Sequence, residues 1–192
     1  MFRFDVINTV LLVVGMLNFA YGIIIFLRSK GNRTNQSFFL VVLAVGIWVF
    51  AMIGYRGFSD EIIVQLWARI LYASASAIPF FFIYFTLIFP EKDFSFTVWQ
   101  KYLLPLPFLF VAGISLYPGG IIKYVDISGV EYKILFNQQP HLIYALYIVA
   151  YFSFSYLNLF KKYLISEKSV KEQLTYIIIF TLVSTMIVFA TN

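Results

Sequence analysis

Residues Glu61 to Phe89 read EIIVQLWARILYASASAIPFFFIYFTLIF, and past the first position their one ionisable group of consequence is Arg69. As an α-helix at about 1.5 Å per residue the stretch reaches roughly 43 Å, longer than the roughly 30 Å hydrocarbon core of a bilayer. The spacing predicts a tilted or protruding membrane helix. Gln65, Arg69, Tyr72, Ser76 and Pro79 follow steps of four, three, four and three, so they share one face, with Ile, Leu and Phe opposite. A guanidinium turned to lipid is costly, so this polar face is expected to look toward other helices. The helix reads as the inner member of a bundle. Its Ala73–Ala77 run of alternating Ala and Ser permits close approach, and Pro79 is expected to kink it or to free carbonyls.

Composition agrees. The chain is 61% hydrophobic and 12% charged, where soluble domains sit near a quarter charged. It contains no cysteine, which removes disulfides, thiolate metal sites and thiol nucleophiles together. The net charge of +5 does not point to nucleic acid, because the basic residues are divided among loops rather than gathered in one patch.

Working outward, two apolar spans precede the central one. The first, about 6–27, is longer than a signal-peptide core, follows Asp5, precedes a basic RSKGNR segment and lacks a small-residue cleavage pattern, so it reads as a retained helix. Its Asn8, Gly15, Asn18 and Gly22 fall on one side, which suits close packing with a few interhelical hydrogen bonds. The second, about 37–55, contains Gly46-Ile47-Trp48, with Trp48 expected to pack against neighbours.

Beyond Pro90 and the Glu91-Lys92-Asp93 loop, a fourth span covers about 99–117 and ends at Pro118-Gly119-Gly120. Residues 121–136 alternate apolar and polar positions around Ser128-Gly129 and read as a small β-hairpin outside the membrane. A two-residue turn there would set Asp126 opposite Glu131, a mildly repulsive pair that leaves the register open. The fifth span, about 141–160, carries a second stripe of Tyr144, Tyr147, Tyr151, Ser155 and Asn158. The sixth covers about 173–191.

The expected fold is an all-α polytopic membrane protein of six helices forming a single sensor-type domain, with a small hairpin between the fourth and fifth. Lysine and arginine distribution orients it. Arg28, Lys30, Arg33, Lys92, Lys101, Lys161, Lys162, Lys168 and Lys171 fall on one side; Arg3, Arg56, Lys123 and Lys133 fall on the other. The nine-residue side is expected to be cytoplasmic, which places the N-terminus and the hairpin outside a cell membrane that the chain crosses several times.

No Asp, Glu, His or Lys lies in the middle of a span. No metal-ligand cluster, serine with a nearby base or phosphate-cradling glycine loop is legible. The expectation is a protein without catalysis, metal or cofactor. Arg69 has two readings, a contact to an anionic ligand in a cavity or a side chain that snorkels to the headgroups. Trp67 reads as an interfacial belt residue or a ligand platform. The tyrosines of the fifth span either line a pocket with Arg69 or pack with their hydroxyls bonded to neighbours. His141 reads as a solvated residue at a helix start or as a group that titrates near neutrality.

The basic first loop, Gly46-Ile47-Trp48, IPFFFIYFTLIFPEKD at Ile78–Asp93, the extracellular hairpin and the KEQLTYIIIF…TN ending at Lys171–Asn192 resemble one family across essentially the whole chain. It is the N-terminal seven-helix membrane region of prokaryotic sensor histidine kinases. The resemblance implies a sensory input region in which a small-molecule or membrane stimulus biases helix positions and, through them, a cytoplasmic signalling module of a two-component system. This sequence has six spans where the family has seven, and no phosphoacceptor segment or ATP-binding motif, so truncation before the seventh helix is expected. No ligand is carried over from the resemblance. Arg69, Tyr72, Tyr147 and Tyr151 are the candidate ligand-binding residues on stripe geometry alone. The lipid bilayer is the expected partner, with a homodimer possible. The alternative function is a small transporter, a channel-like subunit or a structural membrane subunit.

Overall fold

Each of the first three helices starts where a short polar side chain accepts a hydrogen bond from a backbone N–H of the first turn, as helix starts require. Asp5 accepts from the Asn8 N–H and opens α1 (Val6–Arg28); Asn32 accepts from Thr34 and opens α2 (Arg33–Gly57); Asp60 accepts from Ile63 and opens α3 (Glu61–Ile88). Thr97 and Gln100 form a reciprocal capping box for α4 (Val98–Leu103), and α5 (Pro105–Leu116) follows at once. Strands β1 (Ile122–Asp126) and β2 (Lys133–Phe136) lead to α6 (Gln138–Ile165) and α7 (Lys168–Thr191). The computed structural model describes residues 3–90, 95–129 and 132–191, giving only the backbone course at Trp99 and at 187–191. The Glu91-Lys92-Asp93 loop, Glu131 and Asn192 lie outside the described residues.

Among the described residues the chain is mostly helical with one two-stranded sheet, and α1, α2, α3 and α6 are each long and apolar enough to cross a membrane. Their outer surfaces are greasy. Val10, Val13, Leu17 and Ile24 of α1 are all more than half exposed, a pattern suited to lipid rather than water. This is a membrane protein. The helices of the second and fifth spans extend beyond the expected limits, and the expected fourth span is interrupted at Leu104, where Pro105 and Pro107 follow within three residues.

α3 is the centre of the assembly: α2, α5, α6 and β1 all pack against it. α1 touches the bundle through α2, on the face predicted for it. Gly15 and Gly22 are buried against Val49 and Val42, and a Cβ on Gly22 would overlap the Val42 side chain. The Asn18 amide donates to the Val42 carbonyl at 3.2 Å, an interhelical bond of the expected kind.

Two apolar clusters lie at opposite ends of α3. At its start, Ala51, Tyr55, Val64, Ala68 and Leu71 pack with Ile121, Ile122 and Val125 from the hairpin segment, and Trp48 joins them as expected. Toward its end, Phe82 and Phe85 meet Leu159 of α6 and Leu174 of α7.

The hairpin docks on the first cluster in a register the two-residue turn did not foresee. Asp126 pairs with Lys133, not Glu131, so opposite charges face each other across the ladder. The connection is longer than two residues because Asp126 closes a local turn, accepting from the Ser128 backbone N–H at 2.9 Å and the Ser128 hydroxyl at 2.6 Å. Those bonds hold the Asp126 carboxyl below its ordinary pKa of 3.8. Tyr132 donates its hydroxyl to the Phe58 carbonyl, and Tyr55 donates to the Tyr132 carbonyl. At the base of the hairpin, the Asn137 amide donates to the carbonyls of Gly119, which adopts φ +76°, and Gly120.

Candidate functional site

The stripe on α6 carries the most specific contacts in the molecule. Tyr144, Tyr147, Tyr151, Ser155 and Asn158 recur at three- and four-residue steps, and one further step of four reaches Lys162. That row faces α3 and the α4–α5 junction along most of the length of α6.

At the hairpin end the contact is aromatic. The Tyr144 and Phe136 rings each lie 5.4 Å from the Tyr72 ring, and His141 stacks on Phe136 with centroids 4.2 Å apart. His141 is therefore half-buried against a ring of the hairpin rather than a solvated helix-start residue. Such pairs each add about 0.5–1.5 kcal/mol beyond area burial. This cluster joins β2, α3 and α6.

One and two turns further along α6 the contact becomes hydroxyl to carbonyl. Tyr147 donates to the Ser76 carbonyl at 2.9 Å. Pro79 has no N–H, so the neighbouring Ala75 carbonyl lacks its usual helical donor, and α3 is open to side-chain donors at this level. α3 stays helical through Pro79. Tyr151 donates to the Leu104 carbonyl at 2.7 Å, at the break that Pro105 imposes between α4 and α5. The Tyr147 and Tyr151 rings lie 4.4 Å apart, so the two anchors support each other.

At the far end the donors become stronger. The Asn158 amide donates to the Thr86 carbonyl at 2.7 Å, and the Lys162 ammonium donates to the carbonyls of Leu87 at 2.8 Å and Phe89 at 2.7 Å. These carbonyls belong to the last turn and cap of α3, which has no intrahelical donors for them and carries the negative end of the helix dipole. Ser155, fully buried, turns its hydroxyl back onto the Tyr151 carbonyl of its own helix.

Three of the four predicted site residues, Tyr72, Tyr147 and Tyr151, thus lie on one seam between α6 and its neighbours. Arg69 does not join them. Its described hydrogen bond runs to Gln65 Oε1 at 3.2 Å, and Gln65 in turn donates to Glu61. The polar face of α3 divides: Ser76 and Pro79 are buried, whereas Gln65 and Arg69 sit at an edge beside the exposed Ile62 and Leu66. Trp67 packs on α2, stacked on Phe58 and laid over Gly54. The sequence reading missed Lys162 and Thr86; continuing the α6 stripe by one more step would have found the lysine.

Beside Tyr151 an open, largely apolar groove of about 360 Å³ runs between α3, α4 and α6, lined by Ile83, Leu103, Leu104, Tyr151 and Phe154. Among the described residues no three His, Asp or Glu side chains gather as metal ligands do. What the seam is equipped to do is hold helices by directional bonds to main-chain carbonyls. Compared with models of known families, with curated proteins and with solved structures, the chain matches none.

Proposed function

We propose that this chain is the membrane-embedded input region of a signal sensor, of the type found at the N-terminus of prokaryotic sensor histidine kinases, and that it carries no catalytic step of its own. In this reading α1, α2, α3, the α4–α5 pair, α6 and α7 are six spans. The N-terminus and the hairpin lie outside, and the basic α1–α2 and α6–α7 connections lie in the cytoplasm.

One observation supports this reading over the alternatives: the α6 stripe contacts α3, or at Tyr151 the α4–α5 junction, from the hairpin to the end of α3. A stimulus at the hairpin, or in the membrane beside Tyr151, acts on the same row of contacts that ends at Asn158 and Lys162. Hydroxyl and amide bonds to carbonyls are worth about 0.5–1.5 kcal/mol each, weak enough to exchange between neighbouring turns. The input then works as a population shift between two settings of α6 on α3.

The test is made in bilayer nanodiscs with a fluorophore on Glu167→Cys, in the α6–α7 connection. Tyr55→Phe with Tyr132→Phe removes the hydroxyls that tie the hairpin to α2. The spectrum at position 167 is expected to shift although the substitutions lie at the opposite end. An unchanged spectrum, with the hairpin shown to be loosened by a second label at Lys123→Cys, would overturn the sensor reading. Solute flux through vesicles containing the purified chain would replace it with the transporter reading.

A further inference from the structure

Arg69 lies off the seam, and its surroundings are those of a site awaiting an anion. Ile62, Leu66 and Arg69 follow steps of four and three, so they share a face. Ile62 is 81% and Leu66 51% exposed, which makes this strip of α3 a surface open to the membrane boundary. Helical side chains lean toward the helix start, and the Arg69 guanidinium reaches back to Gln65, about one turn from Glu61.

There it is poorly satisfied. Of the five N–H donors of the guanidinium, the hydrogen bond described is a 3.2 Å contact from Nη2 to a neutral amide oxygen. Nε is buried without an acceptor. Among the described residues the one ion pair is Arg56–Asp5, so no described carboxylate neutralises Arg69, and the Glu61 carboxylate reaches it only through Gln65. A buried donor without a partner is costly, and more so in a membrane. A phosphate-type oxyanion answers both deficits once the side chain swings out from Gln65, because its oxygens then accept from Nε and Nη side by side and supply the missing charge.

We propose that Arg69 forms an oxyanion-binding site on the lipid-facing edge of α3, at the end that carries Glu61. The site takes a phosphate group, from a phospholipid headgroup or from a free phosphate-type anion. Binding exchanges the long bond to Gln65 for charge-assisted ones. The inference rests on the membrane placement of α3 and not on the signalling role, so either stands if the other fails.

The test uses the whole chain purified in detergent, with phosphatidylglycerol and inorganic phosphate as separate probes. Native mass spectrometry is expected to find one phosphatidylglycerol retained by the wild type, with apparent affinity reduced about tenfold in Arg69→Leu and Arg69→Gln. If instead inorganic phosphate alone raises the melting temperature of the wild type and not of the variants, the site is real and its source is soluble. Monodisperse variants that bind both probes as the wild type does, or a wild type that binds neither, would overturn the proposal.

Discussion

Gly54→Leu is expected to separate α2 from α3 and to leave the protein aggregated or markedly less stable in detergent. A Cβ at position 54 would fall inside the Trp67 indole, 2.5 Å from Cε2 and 2.7 Å from Cε3. The indole is also stacked on Phe58, with centroids 6.3 Å and planes 9° apart, so a shift away from position 54 disturbs that pair as well. Overfilling a packed core costs about 1–3 kcal/mol for modest additions, and a leucine adds three further carbons to the same clash. Against this, leaving glycine recovers only about 1 kcal/mol of helix propensity. The net change is therefore a loss of about 2 kcal/mol or more. Gly113→Leu is the control, because a Cβ there meets nothing within 4 Å. Thermal unfolding followed by circular dichroism or a size-exclusion assay checks both variants. A Gly54→Leu protein as stable as Gly113→Leu would contradict the α2–α3 packing.

The second large effect is expected at the far end of the seam. Asn158→Leu with Lys162→Met removes the amide that bonds Thr86 and the ammonium that bonds Leu87 and Phe89. Bonds from a charged donor contribute about 1.5–3 kcal/mol and neutral ones about 0.5–1.5, so two of the first kind and one of the second sum to roughly 3.5–7.5 kcal/mol at most. The loss is local. Tyr147 and Tyr144 still hold α6 to the middle and the start of α3. Hydrogen exchange is expected to rise in the last turns of α3 and around Lys162, while amides near Ser76 and the hairpin keep their protection. The single variants should fall short of the double, since each leaves part of the carbonyl set satisfied. Unchanged exchange at the end of α3 in the double variant would show that the seam does not hold that end.

Much of this arrangement was legible from periodicity, and what was not has identifiable causes. The α6 stripe and the small-residue face of α1 lie where their spacings put them. The partner surface of the α6 stripe was hidden because its acceptors are main-chain carbonyls, which sequence marks only indirectly, as Pro79 and Pro105 do here. The outer part of the α3 stripe was read as inward-facing because it continues one row of three- and four-residue steps. A helix of 3.6 residues per turn drifts about 20° per heptad from such a row. Over the fourteen residues from Gln65 to Pro79 that drift amounts to only about 40°, so the stripe is divided by its neighbours: α6 reaches Tyr72 and Ser76, whereas the described bonds of Gln65 and Arg69 stay within α3. The hairpin register turned on Asp126 closing its own turn with Ser128, a local choice that alternation of apolar residues does not encode. The fourth span was read as one helix, although its prolines already marked the break at Leu104.

The account depends on the hairpin lying outside and the α6–α7 connection lying inside one membrane, and the chain makes this simple to measure. It contains no cysteine, so an engineered thiol is the only one present. Lys123→Cys on β1, Lys30→Cys between α1 and α2, and Glu167→Cys between α6 and α7 all replace exposed residues. With a membrane-impermeant maleimide on intact cells, position 123 is expected to label at once, and positions 30 and 167 only after the membrane is opened. Labelling of 123 and 167 from the same side, or protection of 123 while 30 and 167 react, would contradict it.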